Sequence, residues 1–122
     1  MKENELQKLE NFVIFQTDEG KVNIDVFFAE ETLWLTQKLM AELFGTTKQN
    51  VGQHLKKIFE EKELEVEATV KNFFTVQKEG EREVERKLEY YSLDAIIAVG
   101  YRVNSYRATK FRIWATKILK EI

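Results

Sequence analysis

Residues 35–59 read LTQKLMAELFGTTKQNVGQHLKKIF. Two short amphipathic helices and a sharp turn are written into them. Thr36 is a good first cap, because its hydroxyl can accept from a free amide of the opening turn. Leu39, Met40, Leu43 and Phe44 then form one apolar stripe. Gly45 stops that helix, since glycine reaches the left-handed conformation without a Cβ clash. Thr47 caps a second helix, along which Val51, Leu55, Ile58 and Phe59 recur on one side. Ala41 is small where the helices must approach, Gly45 lies at the turn, and Val51 faces back into the angle. Gly52 permits close packing beside it. Residues 36–59 are thus predicted to form a helix-turn-helix unit. Two positions depart from the usual pattern. Thr46 stands where an aliphatic residue is common, and His54 where a core aliphatic is common, with Leu55 taking the apolar role one position later.

The opposite side of the second helix carries Gln49, Asn50, Gln53, Lys56 and Lys57. Glutamine and asparagine can make paired hydrogen bonds to adenine in the major groove, and lysine can reach guanine or phosphate. The N-terminal half of a recognition helix usually meets the base edges. Gln49, Asn50 and Gln53 are therefore the expected base readers. Thr47 and Lys48 belong at the helix start, near phosphate or base edges. Lys38, Lys56 and Lys57 are expected to hold the backbone. The implied partner is double-stranded DNA, and a twofold site would require a homodimer. The alternative is a protein-interaction module, antirepressor-like or regulating an attached domain. Its surface would be the acidic segments and the Tyr90-Tyr91 region.

Upstream, residues 12–16 suit a strand, and residues 18–21 (Asp-Glu-Gly-Lys) a turn. Val22, Ile24, Val26 and Phe28 then alternate with polar residues, the period of a return strand. Residues 32–35 suggest a short third strand, and residues 1–10 a short helix or frayed tail. Downstream, residues 60–67 read as a helix end and an acidic linker. Residues 70–91 form a second hairpin, with its turn at residues 78–81. Such a hairpin follows the recognition helix in winged-helix proteins. Here Glu79, Glu81, Glu83 and Glu85 crowd the tip and return strand against Lys78, Arg82, Arg86 and Lys87. Phosphate would repel that acidic edge, so a structural or partner-facing hairpin is as good a reading as a DNA wing. Ser92 caps a third helix with a core face of Leu93, Ile96, Ile97 and Tyr101. Asn104 or Ser105 caps a fourth, striped by Ala108, Phe111, Ala115, Ile118, Leu119 and Ile122 and flanked by Trp114. Lys110 and Lys117 share a face of it roughly opposite the stripe and form a second candidate phosphate surface. Arg107 falls nearer the apolar side, paired or half buried. The predicted class is α+β: a winged-helix-like helix-turn-helix flanked by β-hairpins and closed by C-terminal helices, in one domain over residues 1–122.

Composition narrows the function. The 122 residues carry 43% hydrophobic and 12% aromatic side chains, enough for one real core. Net charge is −2, which alone argues against a nucleic-acid partner. Its distribution argues otherwise. Residues 36–59 set Lys38, Lys48, Lys56 and Lys57 against Glu42 alone. Residues 100–122 set Arg102, Arg107, Lys110, Arg112, Lys117 and Lys120 against Glu121 alone. Local potential matters more for association than the total. No apolar run is long enough to span a bilayer and no leader is evident, so a soluble cytoplasmic protein is expected. With no cysteine and a single histidine, His54, thiolate metal sites are excluded and histidine chemistry has little to work with. Asp18, Asp25, Asp94 and scattered glutamates do not compose a nucleophilic triad, a metal cluster or a phosphate-binding glycine loop. No catalytic activity and no cofactor are expected.

Residues 34–59, WLTQKLMAELFGTTKQNVGQHLKKIF, and residues 79–119, EGEREVERKLEYYSLDAIIAVGYRVNSYRATKFRIWATKIL, together resemble the RhuM family of virulence-associated proteins. The likeness runs from about Asp25 onward. Its most specific blocks are YYSLDAIIAVGYRVNS and RATKFRIWATKIL. The second is also similar to the end of the Bro-N module of phage antirepressors. The resemblance implies a bacterial or mobile-element protein, presumed to bind DNA and to regulate transcription or the element itself. It also implies the N-terminal domain of a longer chain. It brings no catalytic residues, and the family name reports a context rather than a mechanism.

Overall fold

The structure, a computed structural model, describes residues 12–17, 20 and 22–121. The expectations for residues 1–10, for Asp18, Glu19 and Lys21 in the first turn, and for Ile122 lie outside the described residues. Five strands and five helices follow in order: β1 (Phe12–Gln16), β2 (Asn23–Ala29), β3 (Thr32–Leu35), α1 (Gln37–Phe44), α2 (Lys48–Glu60), α3 (Val66–Thr69), β4 (Val70–Glu79), β5 (Arg82–Ser92), α4 (Leu93–Val103) and α5 (Ser105–Glu121). The class is α+β, as the sequence predicts.

The strands form one antiparallel sheet in the order β1-β2-β3-β5-β4. Alternation splits its residues between two faces. Ile24, Val26, Leu33 and Leu35 turn toward the helices and meet Met40, Leu43, Phe44, Val51, Leu55, Ile58, Ile96, Val99 and Phe111 in one core. The other face carries a separate aromatic cluster of Phe27, Trp34 and Tyr90, packed with Phe73 and Leu88. The Phe27 ring lies 5.1 Å from Phe73 and 5.2 Å from Tyr90, within the range of favourable aromatic pairs.

The central strand is short. β3 pairs with β5 only through Trp34↔Ser92 and Leu35↔Tyr91. Beyond Leu35 the chain leaves the sheet into α1, while β2 and β5 run on without a strand between them. The two hairpins therefore diverge as a fork, with α1 leaving from its base.

Both predicted caps of the helix-turn-helix are in place. The Thr36 hydroxyl accepts from the Leu39 amide, and the Thr47 hydroxyl from the Asn50 amide at 3.0 Å. Gly45 sits at φ 70°, the left-handed conformation that ends α1. Val51, Leu55 and Ile58 are buried on α2, as the periodicity predicts.

Other details differ from the sequence reading. Tyr101 is not on the core face of α4: it is 46% exposed, and Ala95, Ile96, Val99 and Gly100 are the buried residues. Gly100 marks the closest approach of the helices, where a Cβ would stand 2.5 Å from Phe44 Cζ and 2.7 Å from the Ala108 Cβ. Ser92 precedes α4 in extended conformation, but its hydroxyl makes no capping bond. Of the two expected cap candidates for α5, Asn104 is the one in place, accepting from the Arg107 amide at 3.1 Å. Residues 60–67 are not wholly linker, because α3 begins at Val66. The second hairpin extends to Glu79 and Arg82, so its turn is only Gly80 and Glu81.

Two arginines from the C-terminal helices fasten the helix-turn-helix. Arg107, half buried as expected, donates to the Leu43 carbonyl at 2.6 Å, an acceptor in the last turn of α1 that lacks an intrahelical partner. Arg102 bridges Glu61 and Glu63 just after α2. Those two carboxylates hold its pKa above the ordinary value.

Candidate nucleic-acid interface

Burying Val51, Leu55 and Ile58 turns the other side of α2 outward. Gln49, Gln53, Lys56 and Lys57 are all exposed. Gln49, Gln53 and Lys56 are four and three residues apart, so they fall on one helical face. The hairpin does not cover them. Thr47 and Lys48 are exposed at the start of the helix, where unpaired amides point outward.

Asn50 differs from its neighbours. It is half buried, and its side-chain amide donates to the Thr46 hydroxyl at 2.9 Å. Thr46, the unusual residue of the turn, is thus tied to the first turn of α2. The expected base reader Asn50 is engaged in shaping the turn. His54 is half buried on the flank of α2. Gly52 faces α1, and a Cβ there would stand 3.2 Å from Gln37 Oε1, close enough to press on that side chain.

Lys38 on α1 and Lys48 on α2 line one cavity of about 370 Å³ against β5. From β5 come Arg86, Leu88 and Glu89. A hydrogen-bonded chain closes its wall: Gln37 Nε2 donates to the Tyr91 hydroxyl at 2.9 Å, which donates to Glu89 Oε1 at 2.8 Å. Burial pushes the Tyr91 pKa above the ordinary value of 10; the Gln37 bond opposes that shift and the Glu89 carboxylate reinforces it. Arg86 leans toward the hairpin tip, where its Nε donates to Glu79 Oε2 at 3.0 Å. Residue-by-residue reading did not join Arg86 to the lysines, because only the fork brings position 86 beside positions 38 and 48.

Lys110 and Lys117 are exposed on α5, which packs chiefly on α4 and α1. The Lys110 ammonium lies 5.5 Å from the centre of the Tyr106 ring. These lysines form a surface separate from the cleft of Lys38 and Lys48. The Tyr90-Tyr91 region is not a surface: both residues are buried, at 3% and 6% exposure. Tyr90 belongs to the aromatic cluster and Tyr91 to the helical core. No described helix is long and apolar enough to cross a membrane.

No curated protein and no solved structure matches the chain. A family model does match part of it, from within α3 across the second hairpin to the end of α5. Residues 68–122 match the model of the virulence protein RhuM family.

Proposed function

We propose that the chain binds duplex DNA by laying α2 in the major groove. The observation that carries this reading is the exposed face of Gln49, Gln53 and Lys56 on a helix whose other side is locked into the core. Two amide side chains and a cation on a rigid helix are the groups that read base edges. Thr47 and Lys48 at the N-terminus favour a nearby phosphate through the unpaired amides and the helix dipole. Lys57 flanks the face and adds backbone attraction. Asn50 supports the turn rather than the bases.

The test is selection from a randomised duplex pool, followed by titration at several salt concentrations. A preferred sequence is expected. Gln49→Ala and Gln53→Ala each lower discrimination for it by about 1–3 kcal/mol. Lys56→Gln and Lys57→Gln weaken all duplexes alike and flatten the salt dependence. Absence of binding at low salt overturns the reading.

A second reading, a protein-interaction module, is favoured by one observation. Tyr106 and Ile113 are 61% and 55% exposed along α5, interleaved with Lys110 and Lys117. A partner that binds without DNA, is kept by Gln49→Ala and is lost with Ile113→Lys would support this reading.

A further inference from the structure

The cleft between α1, the start of α2 and β5 shares Lys48 with the reading of α2, but its α1 and β5 walls have no role there. We infer that it is a phosphate-binding site, which holds a backbone phosphate of the same duplex between Lys38, Lys48 and Arg86 and brings the β4–β5 hairpin into the DNA interface. The inference rests on the DNA reading proposed above and deepens it.

Three cations from three separate elements line one cavity. Lys38 and Lys48 are exposed, and neither has a carboxylate partner among the described residues. The one carboxylate in the wall, Glu89, already accepts a hydrogen bond from the Tyr91 hydroxyl, which engages part of its charge. The cleft therefore has surplus positive charge and wall donors, the arrangement that a phosphate oxygen satisfies. It also adjoins the start of α2, where a backbone phosphate passes when a recognition helix enters the groove.

Arg86 is held meanwhile by Glu79. That pair is about half exposed on both sides, at 49% and 46%, so a phosphate can compete with it. Glu79 thus acts as a placeholder: it keeps the guanidinium on the hairpin until a stronger anion takes its place. The acidic residues at the tip, which argue against a wing, gain a specific role at this one position.

The experiment is duplex titration of the full chain between 50 and 200 mM salt. Four variants are compared with the parent: Arg86→Gln, Arg86→Lys, Glu79→Gln and Lys87→Gln. Lys87 lies next to Arg86 on β5 and is not one of the residues that line the cleft, so its loss makes the same charge change without removing a lining cation. Arg86→Gln is expected to remove one phosphate contact. The affinity lost over that salt range then shrinks by about three- to fourfold. Arg86→Lys restores part of the dependence, Glu79→Gln tightens binding, and Lys87→Gln leaves the slope as in the parent. Equal effects of Arg86→Gln and Lys87→Gln overturn the cleft alone, because they reduce Arg86 to general attraction. So does a slope that Arg86→Gln does not change. A parent chain that binds no duplex at low salt overturns both the cleft and the reading of α2. Urea unfolding of each variant, compared with the parent, separates a lost contact from a lost hairpin.

Discussion

Glu30 and Glu31 connect β2 to β3 with φ of 52° and 67°. A two-residue hairpin of this kind needs positive φ at both positions, where asparagine and glycine are normal. Two glutamates there carry strain, about 1–2 kcal/mol for each residue held left-handed. Glu30 is compensated by an ion pair with Lys71 of β4. Glu31 has no such ion pair among the described residues, so Glu31→Gly is expected to raise stability by about 1 kcal/mol. A shift of the urea midpoint at constant slope checks it. Gly100 is the opposite case. Gly100→Ala would drive a methyl into Phe44 and Ala108 and cost about 1–3 kcal/mol by the same measurement. Tyr91 links stability to pH. Its folded pKa lies above the ordinary value of 10, so the folded state keeps the proton longer than the unfolded chain. The stabilisation is complete below pH 10 and is lost as pH rises through the folded value. Tyr91→Phe is expected to flatten the fall in stability above pH 10, read from urea midpoints between pH 8 and 11.5. None of these three residues announces itself in the sequence. A strained turn, a crowded glycine and a buried hydroxyl all depend on neighbours that only the fold supplies.

At the scale of elements, the two helices of the helix-turn-helix were the most legible part. Their signals are local: a threonine cap before each, a glycine between them, and apolar residues at helical spacing. Thr47→Ala is expected to cost about 1 kcal/mol, since it frees the Asn50 amide and loosens the first turn of α2. Thermal or urea unfolding reads the stability loss, and duplex titration reads the weaker binding that should accompany it. The hairpins were legible as hairpins because period-two alternation is also local. The sheet order was not. β3 has four residues, too few to show a period, yet it joins the two hairpins. Arg86 was unreadable as a site residue for the same reason, because its neighbours in the cleft are separated from it by two helices and a strand. The Asn50–Thr46 bond was not legible because Thr46 lies outside α2.

At the scale of the molecule, the sheet is covered on one face by helices and on the other by aromatic rings. The two tryptophans report the two sides: Trp34 in the aromatic cluster, Trp114 against the helical core. Because β2, β3 and β5 contribute to both clusters, the sides should unfold together. Single-tryptophan variants, Trp34→Phe and Trp114→Phe, are expected to give coincident urea transitions by fluorescence once each is referred to its own stability. Separate midpoints, confirmed by circular dichroism, would show two independently melting layers. The short β3 has one more consequence. The second hairpin meets the body of the sheet near its base, through two residue pairs, the ring contacts of Phe73 with Phe27 and Trp34 and of Tyr90 with Phe27, and the Lys71–Glu30 ion pair, and from Tyr91 to Arg82 it reaches about 30 Å at ~3.3 Å per residue. It is a cantilever with its fulcrum at the base of the fork. A tilt of about 5° at that fulcrum, over such an arm, carries the tip through roughly 2–3 Å while Arg86, nearer the pivot, travels only about half as far.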